Sequence, residues 1–473
     1  MLPDFDQCYQ ILARRDQSFD GRFFAAVSST GIYCRTSCSA RTPLARNVAF
    51  FASAAAALAA GYRPCLRCRP EMAPRQPEHP ATCASIVRAL RLIDRGYLVD
   101  HRETDLATLV GLSADALNEQ CTAVTGVGVA MLGKAHRLQM AKRLIDSSDL
   151  PLSRVADLAG YPSARSVQRE IGRLYSRTPT SLRQARRRKN DRGSGEITLT
   201  LPVRQPYNQS WVFDFLARRA LRGVEEVSPT CYRRLLKRDA QGDHWLSVNW
   251  LGDGFSVRVP ACAVTRLATT LAGLRRVLDL DADSQSIDRH LARSSMLSRW
   301  VEEQPGLRIP GAWDGFEIAV RAILGQQVSV VRATDLANRL IDRYSNDGLF
   351  PDAAVLSRVN VAELGMPGRR GQAIGLLAEQ VARGEMDLDE TADASVLQDS
   401  LCRIPGIGPW TASYVCMRVA RQADAFPEQD WVVMKVLQNK APGCRRIAEE
   451  WRPWRGYALM YLWYASTQLA ATN

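Results

Sequence analysis

The chain of 473 residues lacks a long hydrophobic run and the marks of a secreted protein. No apolar stretch approaches the ~20 residues that a membrane span requires, so we expect no membrane protein. Two aspartates stand within the first six residues, where a signal peptide needs cationic side chains, and 12 cysteines are too sparse for a disulfide scaffold of this length. We therefore expect a globular, cytoplasmic protein in a reducing compartment.

Lysine is also scarce, since only six of the 62 basic residues are lysines. The net charge of +13 is concentrated at one end of the chain. Residues 1–195 hold 29 basic and 17 acidic side chains, whereas residues 196–473 hold 33 and 32. Such an excess is typical of proteins that bind a polyanion such as nucleic acid, although a general preference for arginine would produce it without any function. Charge alone leaves both interpretations open.

Two stretches of the sequence predict linkers. Residues 73–80 contain three prolines, and residues 186–195 are charged and then glycine-rich, so neither can join a core. After the second linker, alternating stretches at 197–203 and 245–259 predict strands, and helical periodicity begins near Ser284. We predict a multidomain chain with a small α+β domain, an all-α domain and an α+β C-terminal half. We predict four domains, at residues 1–75, 81–185, 196–283 and 284–473.

Four cysteines in the first domain have the spacing of a metal site. Cys34 and Cys38 are four positions apart, Cys65 and Cys68 are three apart, and 26 residues separate the pairs. Each pair places two thiolates on one side of a tight turn, and two such turns form the tetrahedral sulfur site that zinc prefers. No histidine lies in this segment, so the sequence predicts one zinc ion per chain held by four thiolates. The alternative is that Cys65 and Cys68 form a redox dithiol.

The sequence around these cysteines resembles the N-terminal domain of the Ada family of alkylation-response proteins. The resemblance covers nearly all of residues 1–72, and its most specific pieces are DGRFFAAVSSTGIYCRTSC, NVAFF and GYRPCLRCRPE. The resemblance implies that Cys34 is both a zinc ligand and the acceptor of a methyl group from a methylated DNA phosphate. Zinc keeps sulfur as the nucleophilic thiolate. Methylation would remove one negative charge beside DNA, so the methyl group is expected to act as a switch.

The second domain contains two patterns typical of a helix-turn-helix, at residues 106–117 and 155–167. Each pattern has a small residue where the helices cross and a glycine in the turn. These positions are Ala107 and Gly111 in the first copy, and Ala156 and Gly160 in the second. The two copies, joined by a helical stretch, resemble the AraC family of transcription regulators over residues 85–185. The resemblance implies binding to promoter DNA, and for an activator RNA polymerase is a further expected partner.

The two presumed recognition helices differ in charge. The helix at 113–124 contains Asp115 and Glu119 and no basic residue, so it either reads DNA weakly or only packs. The second recognition helix carries arginines spaced to share one face, suited to phosphates or guanine edges. They are Arg165, Arg169 and Arg173. We predict that the second copy is the DNA reader.

The segment LCRIPGIGPWTASY, residues 401–414, is typical of a helix-hairpin-helix. Gly406 and Gly408 flank an anchoring isoleucine and allow close approach of a DNA backbone, while amides of the following helix face a phosphate. Asp430 follows Trp410 by twenty residues. This arrangement resembles the helix-hairpin-helix DNA glycosylases, in which an aspartate at this place serves base excision.

Further matches extend this resemblance over residues 196–473 to the AlkA family of 3-methyladenine DNA glycosylases. The matching pieces are YNQSWVFDFLARRA, GFEIAVRAILGQQVSV, LGMPGRR and WRPWRGYALMYLWY. The resemblance implies a small mixed-sheet domain followed by a helical bundle, with an aromatic pocket in the cleft between them. The implied pocket residues are Phe215, Trp410, Tyr414, Trp463 and Tyr464. Gln327 stands where the compared family member has an apolar wedge. The sequence therefore does not decide which side chain fills the gap left by a flipped base.

The expected chemistry is hydrolysis of the glycosidic bond of alkylated purines such as 3-methyladenine and 7-methylguanine. Such bases are cationic, leave readily and stack on aromatic rings, so one carboxylate, Asp430, suffices to stabilise the sugar cation. Trp410 occupies the position at which strand-cutting relatives carry a lysine, so we expect a monofunctional enzyme. No Pro-Cys-His-Arg motif is present, so repair of guanine oxygen is not expected. The alternative is a transcription regulator whose glycosylase-like half only senses damaged DNA.

Overall fold

The computed structural model describes residues 2–75, 78, 82–187 and 197–471. The chain divides into two units, one of residues up to 203 together with 251–272, and the other of residues 204–250 together with 273–473. Of the predicted linkers, 186–195 lies outside the described residues from position 188 onward, and 73–80 is described only at 73–75 and 78. The division into four domains therefore stays a prediction.

The first unit begins with a four-stranded sheet flanked by two helices. Its elements are α1 (Phe5–Arg14), β1 (Phe24–Val27), β2 (Ile32–Cys34), β3 (Val48–Phe51), α2 (Ala54–Ala59) and β4 (Arg63–Pro64). The strand order is β3-β1-β2-β4, and β2 and β4 run parallel while the other pairs are antiparallel. Ser53 caps α2 by accepting a hydrogen bond from Ala56 N at 3.0 Å. Phe24, Tyr33 and Ala57 form the core of this α+β region.

The next part of the first unit is entirely helical in its described residues, as predicted. Its helices are α3 (Ala84–Asp94), α4 (Tyr97–Asp100), α5 (Glu103–Leu109), α6 (Ala114–Thr125), α7 (Val129–Ser147), α8 (Leu152–Ala159), α9 (Ala164–Tyr175) and α10 (Pro179–Arg187). The amphipathic helices α3, α5 and α6 pack their apolar residues, Ile86, Leu106 and Leu117 among them, into one core. The helix α7 joins the two helix-turn-helix pairs.

Five strands and one helix follow in the region where the sequence predicts a sheet. They are β5 (Ile197–Pro202), α11 (Gln209–Ala217), β6 (Glu225–Ser228), β7 (Cys231–Asp239), β8 (Gly242–Trp250) and β9 (Gly254–Val259). In the first unit β5 pairs with β9, and in the second β7 pairs with both β6 and β8. Every one of these pairs is antiparallel, so the predicted mixed sheet is not found among them.

The remaining chain is helical, as the periodicity from Ser284 predicts. Its helices are α12 (Leu267–Val277), α13 (Ser284–Leu291), α14 (Ser298–Glu303), α15 (Gly315–Leu324), α16 (Val330–Tyr344), α17 (Ala353–Leu356), α18 (Gly368–Ala382), α19 (Ala394–Cys402), α20 (Pro409–Arg418), α21 (Trp431–Val436), α22 (Ala441–Ala448) and α23 (Arg455–Ala471). The second unit has two cores, one centred on α15 and α18 and the other on α13 and α23. Tyr414 packs against both of them. No helix in the described ranges is long and apolar enough to span a bilayer.

Candidate metal centre and candidate active site

The four predicted cysteines come together where two parallel strands end. Because Ile32 lies opposite Arg63 and Tyr33 opposite Pro64, the residues that follow in register are Cys34 and Cys65. The Sγ atoms of all four cysteines, Cys34, Cys38, Cys65 and Cys68, lie within 4.8 Å of one another. A tetrahedral zinc site with Zn–S distances near 2.3 Å places its sulfurs about 3.8 Å apart. The cluster therefore fits zinc, and a dithiol of Cys65 and Cys68 alone does not account for the other two sulfurs.

The four ligand groups are buried together. Taken as whole residues, Cys38, Cys65 and Cys68 are buried and Cys34 is partly exposed. Burial therefore does not single out one of the four sulfurs.

A buried carboxylate fixes the loop between Cys34 and Cys38. Asp20 is 1% exposed and accepts hydrogen bonds from Thr36 Oγ1 at 2.8 Å, Ser37 N at 3.0 Å and Ser37 Oγ at 2.6 Å. Arg35 completes the set with Nη1 at 3.2 Å from Asp20 Oδ2. Asp20 is a functional residue that was not predicted from the sequence. The sequence feature that could have predicted this role is the polar stretch between the two cysteines. Polar side chains that face inward need a buried hydrogen-bond acceptor.

A buried cluster of charges lies between the metal region and helix α7. Arg69, one residue after Cys68, donates to Asp146 Oδ2 at 2.6 Å. Lys142 is 3% exposed, and its Nζ lies 2.5 Å from the same oxygen and 3.7 Å from Glu71 Oε1. Glu71 Oε2 is buried without a hydrogen-bond partner in the part of the chain that the structure describes. These contacts tie the end of the metal region to the helix that joins the two helix-turn-helix pairs.

The helix pairs α5–α6 and α8–α9 have the predicted helix-turn-helix geometry. Gly111 and Gly160 adopt φ values of 73° and 71°, which L side chains rarely take, so both turns depend on glycine. The small residues Ala107 and Ala156 are buried where the helices cross.

The outer faces of the two recognition helices carry opposite charge. On α9, Arg165, Arg169 and Arg173 are exposed, while Val167 and Ile171 are buried on the other face. Within the described ranges, Arg173 lies 3.6 Å from Glu170, and neither Arg165 nor Arg169 forms an ion pair.

By contrast, Asp115 and Glu119 are exposed on α6. The charges thus favour α9 as the surface that meets phosphate.

The helix-hairpin-helix consists of α19, a tight turn and α20. Gly406 has φ 96°, and Ile407 is buried, as the motif predicts. No side chain caps the start of α20 at Gly408, so its first amides are available to an anion.

A neighbouring loop is tied to this hairpin. Gln326 Nε2 donates to Gly406 O at 2.9 Å and to Thr411 Oγ1 at 3.0 Å. Gln327, the next residue, is exposed and has a strained φ of 54°. Its side chain therefore projects from a loop that the hairpin holds in place.

Asp430 is the N-cap of α21 and is 6% exposed. Its Oδ1 accepts hydrogen bonds from Val432 N at 2.9 Å, Val433 N at 3.1 Å and Trp463 Nε1 at 3.4 Å. Its Oδ2 accepts one from Trp410 Nε1 at 2.9 Å. All four donors are neutral, and no cation within the described ranges pairs with Asp430. Its negative charge is therefore available to a positive charge that develops beside it.

Four of the five predicted pocket aromatics surround this carboxylate. Trp410 stacks on Tyr414 with ring centres 5.4 Å apart, and Phe215 stacks on Trp463 at 6.4 Å. Tyr414 and Trp463 are also 6.4 Å apart, which joins the two stacks. The residues come from α11, α20 and α23.

Tyr464 lies on a different side of α23 from Trp463. Its ring packs edge-on against Trp211 at 6.5 Å and Trp300 at 6.1 Å. Trp211 in turn lies 6.2 Å from Phe215, so Tyr464 supports the stack indirectly.

Two arginines that the sequence analysis did not single out border the same rings. The Cζ atom of Arg219 lies 3.7 Å from the ring centre of Phe215, and that of Arg418 lies 5.1 Å from it. Arg418 Nη1 also donates to the Tyr414 hydroxyl at 2.8 Å. Arg219 follows Phe215 by one helical turn, which is the only local signal of this contact.

The matches to known protein families fall on the same regions of the chain. Residues 7–71 match the family described as the metal binding domain of Ada, residues 106–185 match a helix-turn-helix domain family, and residues 198–314 match the AlkA N-terminal domain.

Three curated proteins illustrate the same division. DNA-3-methyladenine glycosylase 2 of Escherichia coli is 34% identical over 280 residues, covering 56% of this chain and 96% of that protein. The bifunctional transcriptional activator/DNA repair enzyme Ada of E. coli is 34% identical over 178 residues, which is 38% of this chain and 49% of that protein. The probable bifunctional transcriptional activator/DNA repair enzyme AlkA of Mycobacterium tuberculosis is 37% identical over 481 residues, covering 98% of this chain and 97% of that protein. Because this last similarity runs over nearly the whole of both proteins, the chain belongs to the family of bifunctional transcriptional activators and DNA repair enzymes that combine an Ada-type metal-binding region with an AlkA-type repair region.

Proposed function

We propose that this chain both regulates the alkylation response and excises alkylated purines from double-stranded DNA. The observation that carries the proposal is the presence, in one chain, of two different reactive centres. One is a four-cysteine cluster that fits zinc, and the other is a buried carboxylate beside aromatic rings.

The first reaction is transfer of a methyl group to Cys34. One zinc ion per chain, held by the four cysteines, would keep the sulfurs as thiolates at neutral pH. The Cys34 thiolate attacks the methyl carbon of a DNA methylphosphotriester, so a sulfur–carbon bond forms, a carbon–oxygen bond breaks, and the phosphate leaves as a diester anion. The resemblance to the Ada family assigns the acceptor role to Cys34, the first of the four cysteines. The thioether is stable, so each chain reacts once.

Regulation follows from the change of charge. Methylation of Cys34 removes one negative charge beside phosphate, so the affinity for promoter DNA rises. Arg165 and Arg169, which are exposed and without ion pairs within the described ranges, contact the promoter. A chain bound in this way can recruit RNA polymerase as an activator.

The second reaction is hydrolysis of a glycosidic bond. The hairpin amides at Gly406 and Gly408 hold a phosphate, Gln327 enters the space left by the flipped nucleotide, and the aromatic rings stack on the base. Asp430 stabilises the positive charge that develops on the sugar, and water adds to it. Trp410 supplies no amine, so no Schiff base forms and the abasic strand stays intact.

The methyl-transfer proposal is tested by peptide mass mapping after the protein is exposed to DNA with methylated phosphates. We expect one methyl group, on the peptide that contains Cys34, and one zinc ion per chain by elemental analysis. A methyl group on Cys65 instead, or on no cysteine, would overturn the assignment.

The excision proposal is tested with a duplex that contains one 7-methylguanine. We expect free base, and strand breaks only after alkali treatment. Breaks without alkali, together with a borohydride-trapped complex, would contradict the monofunctional mechanism. Tight binding of the damaged duplex with no release of base would instead favour the alternative that this half only senses damage.

A further inference from the structure

The end of recognition helix α9 rests on the buried charge cluster beside the metal centre. Tyr175, the last residue of α9, is 3% exposed, and the Nζ atom of Lys142 lies 5.2 Å from the centre of its ring. The helix α9 also packs against β4, the strand that leads directly to Cys65. Lys142 therefore contacts the recognition helix on one side and the acidic residues of the cluster on the other.

Glu71 connects this lysine to the metal centre. Arg69 and Glu71 follow Cys68 by one and three positions, and Arg69 Nε lies 3.5 Å from Glu71 Oε1. The same oxygen lies 3.7 Å from Lys142 Nζ. One cation beside Glu71 thus belongs to the turn that carries Cys68, and the other contacts Tyr175.

The Glu71 carboxylate is incompletely stabilised. Glu71 is 5% exposed, and its Oε2 is buried without a hydrogen-bond partner among the residues that the structure describes. Such an oxygen is destabilised by burial, and nearby negative charge destabilises it further. The cysteine thiolates carry that charge, and three residues of chain keep the Cα atoms of Cys68 and Glu71 within about 11 Å. The buried arrangement of Glu71 is therefore sensitive to the charge of the metal centre.

We propose that Glu71 and Lys142 are positioning residues through which methylation of Cys34 fixes recognition helix α9. This inference rests on the methyl transfer proposed above. Loss of one negative charge at the metal centre stabilises the buried Glu71 carboxylate, and Glu71 in turn keeps Lys142 against Tyr175. One state is the arrangement that the structure shows, and in the other the contact between Lys142 and Tyr175 is lost. Methylation shifts the population toward the first state, in which α9 is held for binding DNA.

This coupling acts inside the protein and needs no DNA, so it is tested first on the free full-length chain. The protein is methylated by a duplex with methylated phosphates and is then separated from that duplex. Hydrogen exchange is measured on peptides that contain residues 171–175, before and after methylation. We expect methylation to slow exchange by about 5-fold or more in the unaltered protein, the lower end of typical couplings between sites. In Glu71→Gln, which keeps the shape of the side chain without its charge, methylation should leave exchange unchanged.

A second measurement uses DNA affinity. The probe is a duplex that the unaltered, methylated protein selects from a library of random sequence. The gain in affinity on methylation should be smaller by about 5-fold or more in Glu71→Gln than in the unaltered protein. A merely structural role of Glu71 would lower the affinities of both forms and leave their ratio unchanged.

The matched control is Glu78→Gln, which removes a more exposed carboxylate that pairs with Arg91 of α3 at 2.7 Å. It should respond to methylation as the unaltered protein does. Unchanged exchange at the end of α9 in the unaltered protein, or an equal change in Glu71→Gln, would overturn the inference. The first of these results does not depend on the folding of any variant. If intact mass shows that the unaltered chain gains no methyl group, the proposed methyl transfer itself is wrong, so the two failures are distinguishable.

Discussion

The metal centre and the aromatic pocket are built in opposite ways. The four sulfurs come from one short stretch, Cys34 to Cys68, in which two parallel strands and two tight turns bring them together. The pocket around Asp430 collects side chains from helices as distant in sequence as α11 and α23. The first site therefore forms from local spacing, whereas the second requires the whole helical unit to fold.

The two sites also differ in how their charge is used. In the proposed function, the metal centre loses one negative charge permanently when Cys34 is methylated. Asp430 lies among neutral hydrogen-bond donors, and in the proposed excision this carboxylate is unchanged after each reaction. The proposal therefore makes the metal centre react once and lets the second site act repeatedly.

The largest expected effect, and the strongest test of the difference between the two sites, comes from removing a metal ligand. Cys38→Ala should abolish zinc binding and unfold residues 1–72, because a structural zinc site contributes about 10 kcal/mol or more to folding. Base release should continue, since the pocket lies in the other unit. Zinc content by elemental analysis and base release are the measurements. Cys83→Ala, which removes an exposed thiol outside the cluster, is the control, and equal zinc in both variants would contradict the prediction.

The corresponding change in the pocket is Asp430→Asn. The amide keeps the shape but not the charge, so base release should fall on the order of 10³-fold while DNA affinity changes little. Asp352→Asn is a matched control, because Asp352 also caps a helix, accepting from Val355 N at 2.8 Å. Full activity in Asp430→Asn would show that the carboxylate is not needed.

The buried charges beside the metal centre allow a third test. Lys142→Met removes the buried one of the two cations that Glu71 and Asp146 share, the other being the more exposed Arg69, so the opening free energy of α7 should fall by about 1–3 kcal/mol. Lys134→Met on the same helix removes a surface pair with Glu170 and should cost less than about 1 kcal/mol. Hydrogen exchange read on peptides of α7 measures both values. Equal protection in the two variants would show that the buried cluster does not hold the helix.

The smallest expected effect is on DNA affinity and not on the rate of either reaction. Replacing both Arg165 and Arg169 by alanine should reduce the slope of log affinity against log salt by about two, since each phosphate contact contributes about 0.9. Arg154→Ala on α8 is the control, because Arg154 already faces Asp157. Binding to promoter DNA at several salt concentrations measures the slope, and an unchanged slope would place the two arginines away from phosphate.

Local signals explain which features the sequence could predict. Cysteine spacing is enough for the metal cluster, and glycines at φ-positive turns are enough for both helix-turn-helix pairs and the hairpin. Asp430 was accessible only through family resemblance, because a single aspartate has no pattern of its own.

Other features left no readable pattern in the sequence. The Glu71–Lys142 contact and the contact of Arg418 with Phe215 each depend on which segments fold against each other. The mixed sheet, which the family resemblance implied, is not found among the described strand pairs, because each of these pairs is antiparallel.

The central claim is that one chain carries two independent reactions, and a reciprocal experiment tests it most directly. Unaltered protein, Cys34→Ser and Asp430→Asn are each incubated with one duplex that contains both a methylated phosphate and 7-methylguanine. Intact-protein mass and free base are then measured in the same sample. The account predicts that Cys34→Ser releases base but gains no methyl group, whereas Asp430→Asn gains the methyl group but releases no base. Loss of both reactions in either variant, or base release by Asp430→Asn at the unaltered rate, would contradict it.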